Sequence, residues 1–216
     1  MPPEILFQSN HLLVIDKPAG LPVHAGPRGG ASVEDFFPLW RRGHDGPWLA
    51  HRLDADTAGC LVIARRKSTL IRLQAAFAEG SVRKLYWAVV RGEPAEAEGI
   101  IDLPLEKRAG HQGWRMAAGA GKPSRTVWRR LGAGGGLAWL ALEPRTGRTH
   151  QLRAHCAAIG HPIIGDPVYS GEKPPLMLMA RSITLPLDPP VSATAPVPAH
   201  MQALLRELDA QPALAR

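Results

Sequence analysis

Short apolar runs alternate with turn-forming clusters along this chain, and few segments carry the three-and-four spacing of an amphipathic helix. HLLVID (11–16) stops at Lys17-Pro18-Ala19-Gly20 and reads as a strand entering a turn. Ser32 with Asp35 three residues on has the form of a capping box opening a short helix, limited by Pro38. The polar loop HRLDADTAG (51–59) leads into an apolar strand, CLVIA (60–64). Ser68 stands where it would cap a helix with Leu70, Leu73 and Phe77 on one face, and Gly80 ends it. In the strand KLYWAVV (84–90), period two puts Leu85, Trp87 and Val89 on one face and Tyr86, Ala88 and Val90 on the other. Residues 92–123, rich in Gly, Pro and Glu, read as irregular. RTVWRRL (125–131) and LAWLALE (137–143), joined by GAGGG, predict a hairpin, and Thr149 is placed to cap a helix closed by Gly160 and Pro162. A strand at LMLMA (176–180) and a terminal helix with Leu204, Leu205 and Leu208 on one face complete the pattern.

Hairpin-linked strands with few helices between them predict an α+β fold: a mixed, mostly antiparallel central sheet flanked by helices. No internal repeat or linker divides the sequence, so residues 1–216 are expected to form one domain. With 45% apolar and 21% charged residues, the chain can bury a core. No apolar run approaches the roughly 20 residues that span a bilayer, and the start, MPPEILFQSN, lacks a secretory pattern. Cys60 and Cys156 are the only cysteines, which excludes a disulfide scaffold. A cytoplasmic protein, with no membrane partner and acting as a monomer, is the expectation.

Charge sharpens this picture. The net charge is +7, and residues 41–91 hold ten Lys or Arg against four Asp or Glu. A local basic surface of this kind fits a nucleic-acid partner, although the excess of Arg also fits a GC-rich coding sequence.

Several chemical patterns fail. GAGK (119–122) lacks the first Gly of a phosphate-binding loop and is followed by Pro123 in place of Ser or Thr. The nine His include no pair at helical ligand spacing around His150 and His155, and the cysteines are not paired, so no metal site is expected. The loop 51–59 is more informative, with His51, Arg52, Asp54, Asp56 and Thr57 in a short span. Asp54 there suits a nucleophile or base whose basic neighbours steer an anionic substrate. DADT also matches the Asp-x-Asp-x-Thr of magnesium-dependent phosphotransferases, but the apolar lead-in strand and a later acidic pair are missing. In RTGRTHQLRAHCAAIGHPIIGD (145–166), Arg145, Arg148 and Arg153 crowd a turn running into a helix, an arrangement suited to phosphate. Arg153, about a turn inside that helix, could instead reach a buried carboxylate.

Together, HRLDADTAG, RKLYWAVV and GRTHQLRAHCAAIGHPIIGDPVYSG resemble, in order and spacing, the motifs of RluA-type RNA pseudouridine synthases, and HLLVIDKPAGLPVH resembles that family's first strand and turn. The resemblance covers residues 5–185. It departs at Ala58, where the family usually has Ser, and in the absence of a separate N-terminal RNA-binding domain. It implies the pseudouridine synthase fold, with a catalytic cleft across the sheet, and isomerisation of uridine within structured tRNA or rRNA without metal or organic cofactor. By resemblance, Asp54 is the catalytic aspartate and Tyr86 the pocket tyrosine. Arg153 is the arginine that pairs with the aspartate, and Arg52 grips the flipped strand or fills the vacated stack. His51, Arg148, Thr149 and Leu152 are further RNA-contact candidates, with Ile63 and Leu152 as apolar walls. A non-catalytic RNA-binding protein is the principal alternative, and the phosphotransferase a lesser one.

Overall fold

The computed structural model describes residues 1–26, 29–42, 45–110 and 113–209. In chain order the elements are β1 (Glu4–Gln8), β2 (Leu12–Lys17), a 3-10 turn (Val33–Phe36), α1 (Phe37–Trp40), β3 (Trp48–Leu49), β4 (Ala58–Ala64) and α2 (Lys67–Ala78). Then come β5 (Arg83–Arg91), β6 (Glu98–Asp102), β7 (Leu105–Gly110), β8 (Gly113–Ala118), β9 (Arg125–Gly134) and β10 (Leu137–Pro144). The chain continues with α3 (Gln151–Ala158), β11 (Leu178–Leu185), β12 (Val191–Thr194) and α4 (Ala199–Asp209). Contacts divide it into two compact units, Met1–Lys84 with Met179–Pro196, and Leu85–Leu178 with the segment from Val197 on. The class is α+β with mostly antiparallel pairing.

In the first unit β4 is buried along its whole length, which is why its sequence is a continuous apolar run rather than an alternating one. It pairs antiparallel with β2, from Leu12↔Ala64 to Lys17↔Gly59, and with β3, and it pairs parallel with β11 at Met179↔Ala58. Gly59 makes that parallel pairing possible. Its φ is +106°, and a Cβ there would lie 2.2 Å from the Ala180 carbonyl oxygen. β1 and β12 extend the pairing through β2 and β11, and α2 packs against β3 and β4.

In the second unit β10 pairs antiparallel with both β5 and β9, and β6 with β9. The β9–β10 turn uses Gly135 and Gly136 at φ 63° and 76°, the left-handed pair that a two-residue hairpin requires. The alternation expected in β5 is observed. Tyr86, Ala88 and Val90 face a core with Leu140 and Leu142, while Trp87 meets Trp139 edge-on at 4.7 Å.

Several sequence expectations are corrected. Residues 92–123 are not irregular but hold β6, β7 and β8. Their exposed charged and small residues hide the alternation on which strand recognition depends. The N-cap of α2 is Arg66, not Ser68, which lies in the first turn. The N-cap of α3 is His150, not Thr149. Asp35 does reach back to the Ser32 amide at 2.9 Å, but Pro38 sits in the first turn of α1 instead of ending the helix. β11 begins later and runs further than LMLMA, and Glu4–Gln8 adds β1, a strand outside the predicted pattern. Among the described residues no helix is long and apolar enough to cross a membrane.

Candidate active site

Apart from Ile63 on β4, the candidate residues of the first unit lie on the loop between β3 and β4. His51 is fixed from behind, because the Val62 amide donates to its Nε2 at 3.0 Å and its ring lies 4.8 Å from that of Phe77. Burial, then the nearby Lys84 charge, lowers its pKa to about 3, so the imidazole is neutral with its proton on Nδ1. The Thr57 amide donates to the Asp54 carbonyl at 3.1 Å, closing a four-residue turn that begins with Asp54. Asp54 is half-buried and Arg52 exposed, whereas Leu53 is buried.

Lys17 anchors this turn, a role the sequence reading missed. It is fully buried at the end of β2, and its three ammonium protons go to the carbonyls of Pro18 (2.8 Å), Leu21 (2.8 Å) and Ala55 (2.7 Å). The Gly20 amide donates to the same Ala55 oxygen at 2.9 Å. The turn after β2 is thereby tied to the residue following Asp54. Burial lowers the Lys17 pKa to about 8, with Asp56 and then Asp54 acting in the opposite sense. The available signal was a lysine at the end of β2, separated from its apolar run by Asp16 alone and directly before Pro-Ala-Gly.

The second unit carries the remaining candidates. Tyr86 is half-buried on β5 beside its core. Arg153, 5% exposed, makes a two-pronged pair with the fully buried Asp166: Nε to Oδ2 at 2.7 Å and Nη2 to Oδ1 at 2.8 Å. Oδ1 also accepts the Val168 amide at 2.9 Å and the Tyr169 amide at 3.2 Å, and Arg153 Cζ stands 5.4 Å from the Tyr169 ring centroid. The buried carboxylate within reach of Arg153 in this unit thus belongs to the same motif, thirteen residues on. Planar, bidentate geometry fixes the guanidinium plane and its height on α3. Arg148 and Thr149 are exposed on the turn before α3, while Leu152 is buried in the core, as Ile63 is in the first unit. Trp114, 45% exposed on β8, stacks on His150 at 5.3 Å and lies under the Lys107 ammonium at 4.6 Å.

Among the described residues no group of three or more His, Cys, Asp or Glu is arranged to hold a metal ion. Cys60 and Cys156 are buried, and burial pushes their thiols up to about 11 and about 12, far from the range of a thiolate nucleophile.

The profile of the RNA pseudouridylate synthase family matches residues 11–158, a stretch that contains the Asp54 turn, β5 with Tyr86, and α3 with Arg153. The chain belongs to this family of RNA-modifying isomerases. Within it the chain is of the RluA type. It is 36% identical over 188 residues to the dual-specificity RNA pseudouridine synthase RluA of Salmonella typhi, across 84% of this chain and 85% of that one. A protein of Zymomonas mobilis bearing the name RNA pseudouridine synthase is 42% identical over 210 residues, covering 90% and 93% of the two chains. The solved structure of human RNA pseudouridylate synthase domain containing 4 superposes with a TM-score of 0.79 at 29% identity, over 95% of this chain and 92% of that one.

Proposed function

We propose that this RNA pseudouridine synthase isomerises particular uridines of structured tRNA or rRNA, with Asp54 as its catalytic carboxylate. The observation that carries this reading is the family match over residues 11–158, a stretch that includes Asp54, Tyr86 and Arg153. The physical chemistry is consistent with it. A base stacked in RNA must leave the stack before its glycosidic bond can be handled, at a cost of a few kcal/mol. Arg52, exposed two residues before Asp54, is suited to holding the vacated position. The Asp54 turn is pinned by Lys17, so the carboxylate can meet one atom of a flipped nucleotide without first being ordered. Its oxygen either attacks carbon or removes a ribose proton. Tyr86 offers a planar ring for the uracil and a phenol able to take the proton from carbon 5. Arg153, fixed by Asp166, takes the role that the resemblance implies for it, the arginine partner of the catalytic aspartate. His51 supports the loop, Arg148 and Thr149 meet phosphate, and Leu152 and Ile63 back the walls from within.

The chain acts as a monomer in the cytoplasm in this reading, where two unpaired, buried cysteines are stable in the reduced form. The deciding experiment is isomerisation of uridine in bulk tRNA and rRNA in the presence of EDTA, with Asp54→Asn as the matched control. Wild type should form pseudouridine, and the nearly isosteric variant should form none while still binding RNA. Turnover by a sequence-verified Asp54→Asn sample rejects the assignment.

A further inference from the structure

His150 is the one non-glycine residue with positive φ, 50°, among the described residues. A left-handed conformation at a side-chain-bearing position persists only when its surroundings hold it, and such positions concentrate at functional sites. Here the holder is identifiable. Gln151, 4% exposed at the first position of α3, divides its hydrogen-bonding capacity between the turn before His150 and the start of β9. Its Oε1 accepts the Arg148 amide at 3.0 Å and the Thr146 hydroxyl at 2.7 Å. Its Nε2 donates to the Arg125 carbonyl and to Thr126 Oγ1, both at 3.0 Å. Its own backbone amide donates to the Arg148 carbonyl at 3.1 Å, so Arg148 is gripped at both of its peptide groups.

The grip has a second layer. The Leu103 carbonyl, 3.0 Å from His155 Nε2, can only accept, so Nε2 carries the proton of the neutral ring. Nδ1 then accepts from the Thr126 hydroxyl at 2.9 Å, and Thr126 Oγ1 in turn accepts from Gln151 Nε2. His155 is fully buried, and burial lowers its pKa, in keeping with a neutral ring. Gln151 and His155, one turn apart on α3, thus form a satisfied polar network joining the Arg145–His150 turn to the start of β9 and the end of β6. Fully satisfied buried networks confer a single geometry.

We infer that Gln151, supported by Thr126 and His155, is a positioning residue that holds the turn carrying Arg148 and Thr149 in the form that meets RNA phosphate. The inference rests on the proposed activity toward RNA and deepens it. It separates two tasks on one helix, because Arg153 is held by Asp166 independently of Gln151. Loss of Gln151 should therefore weaken RNA capture and spare the chemical step.

The test compares Gln151→Met, which keeps the bulk and loses the side-chain bonds, with Thr146→Val and Thr146→Ser at the half-buried end of the network. Gln151→Met should raise KM for bulk tRNA about ten-fold with kcat within about three-fold, and should lower the slope of log K against log salt by about one, the signature of one lost phosphate contact. Thr146→Val should shift both quantities in the same direction, and Thr146→Ser, retaining the hydroxyl, should recover most of that loss. An unchanged KM and salt slope in a cooperatively folding variant overturns the inference, as does a fall in kcat at constant KM. If Gln151→Met does not fold, the Thr146 pair decides by the same criteria. Wild type that binds RNA but forms no pseudouridine rejects the activity, and the binding slope still decides the positioning role.

Discussion

A buried lysine is expensive unless every proton has an acceptor, and Lys17 meets that condition with three backbone carbonyls. Lys17→Met leaves the Pro18 and Leu21 carbonyls without that donor while removing a desolvated charge. The net loss should be about 1–3 kcal/mol, read as a lower urea midpoint. His51 makes the corresponding pH prediction. Its folded pKa of about 3 lies below the ordinary value of 6.5, so the unfolded chain binds the proton first. The stability it contributes is complete above pH 6.5 and is lost as pH falls toward 3. The thermal midpoint should fall through that window, and less steeply in His51→Gln; an equal slope in the two proteins would reject His51 as a source. His155 acts with the same sign, so the variant should flatten the dependence without abolishing it. Asp54, Tyr86 and Arg153 were legible as candidates because their motifs are local in sequence. Lys17 was not, since its burial depends on a loop 38 residues away.

At the scale of elements, glycines separate strain from collision. Gly59 and Gly135 both have positive φ, but a Cβ at Gly59 meets the Ala180 carbonyl at 2.2 Å whereas one at Gly135 meets nothing within 4 Å. Gly135→Ala should therefore cost about 1 kcal/mol of backbone strain. Gly59→Ala should cost several-fold more, because β4 and β11 are both backbone at the contact and neither can yield without losing register. Equal urea midpoints for the two variants would contradict this. The β9–β10 hairpin could be read in advance, although β9 runs on to Gly134 and the turn is Gly135-Gly136 rather than the whole GAGGG segment. The alternation of β5 could be read as well, since period two is encoded within a few residues. The caps of α2 and α3 could not. Ser68 and Thr149 have capping chemistry, yet at α3 the Gln151 amide, which a Thr149 cap would satisfy, goes to the Arg148 carbonyl, a local turn that a cap-based reading does not consider.

For the whole molecule the governing quantity is charge. The chain carries +7, most of it within residues 41–91, and RNA capture should depend steeply on salt because each neutralised phosphate releases counterions. That much was legible from composition, although composition alone did not distinguish a phosphate-binding surface from a coding bias toward Arg. The family match resolves the class of partner and leaves a division of labour to test: capture by many charges, chemistry by few groups. Arg52 discriminates between these roles. It is exposed, and as one cation among 26 Lys and Arg its removal should weaken capture only about two- to three-fold at moderate salt. Its proposed task begins later, when the base has left the stack and the extruded form must be held against re-stacking. Base extrusion costs a few kcal/mol, so losing the group that offsets it should slow the single-turnover rate by about ten- to a hundred-fold. Arg52→Ala should consequently bind RNA almost normally and react slowly, with the deficit smaller on an RNA whose target uridine is already unpaired and unstacked. Parallel losses in affinity and single-turnover rate would place Arg52 among the general phosphate contacts, with no special role in holding the flipped nucleotide.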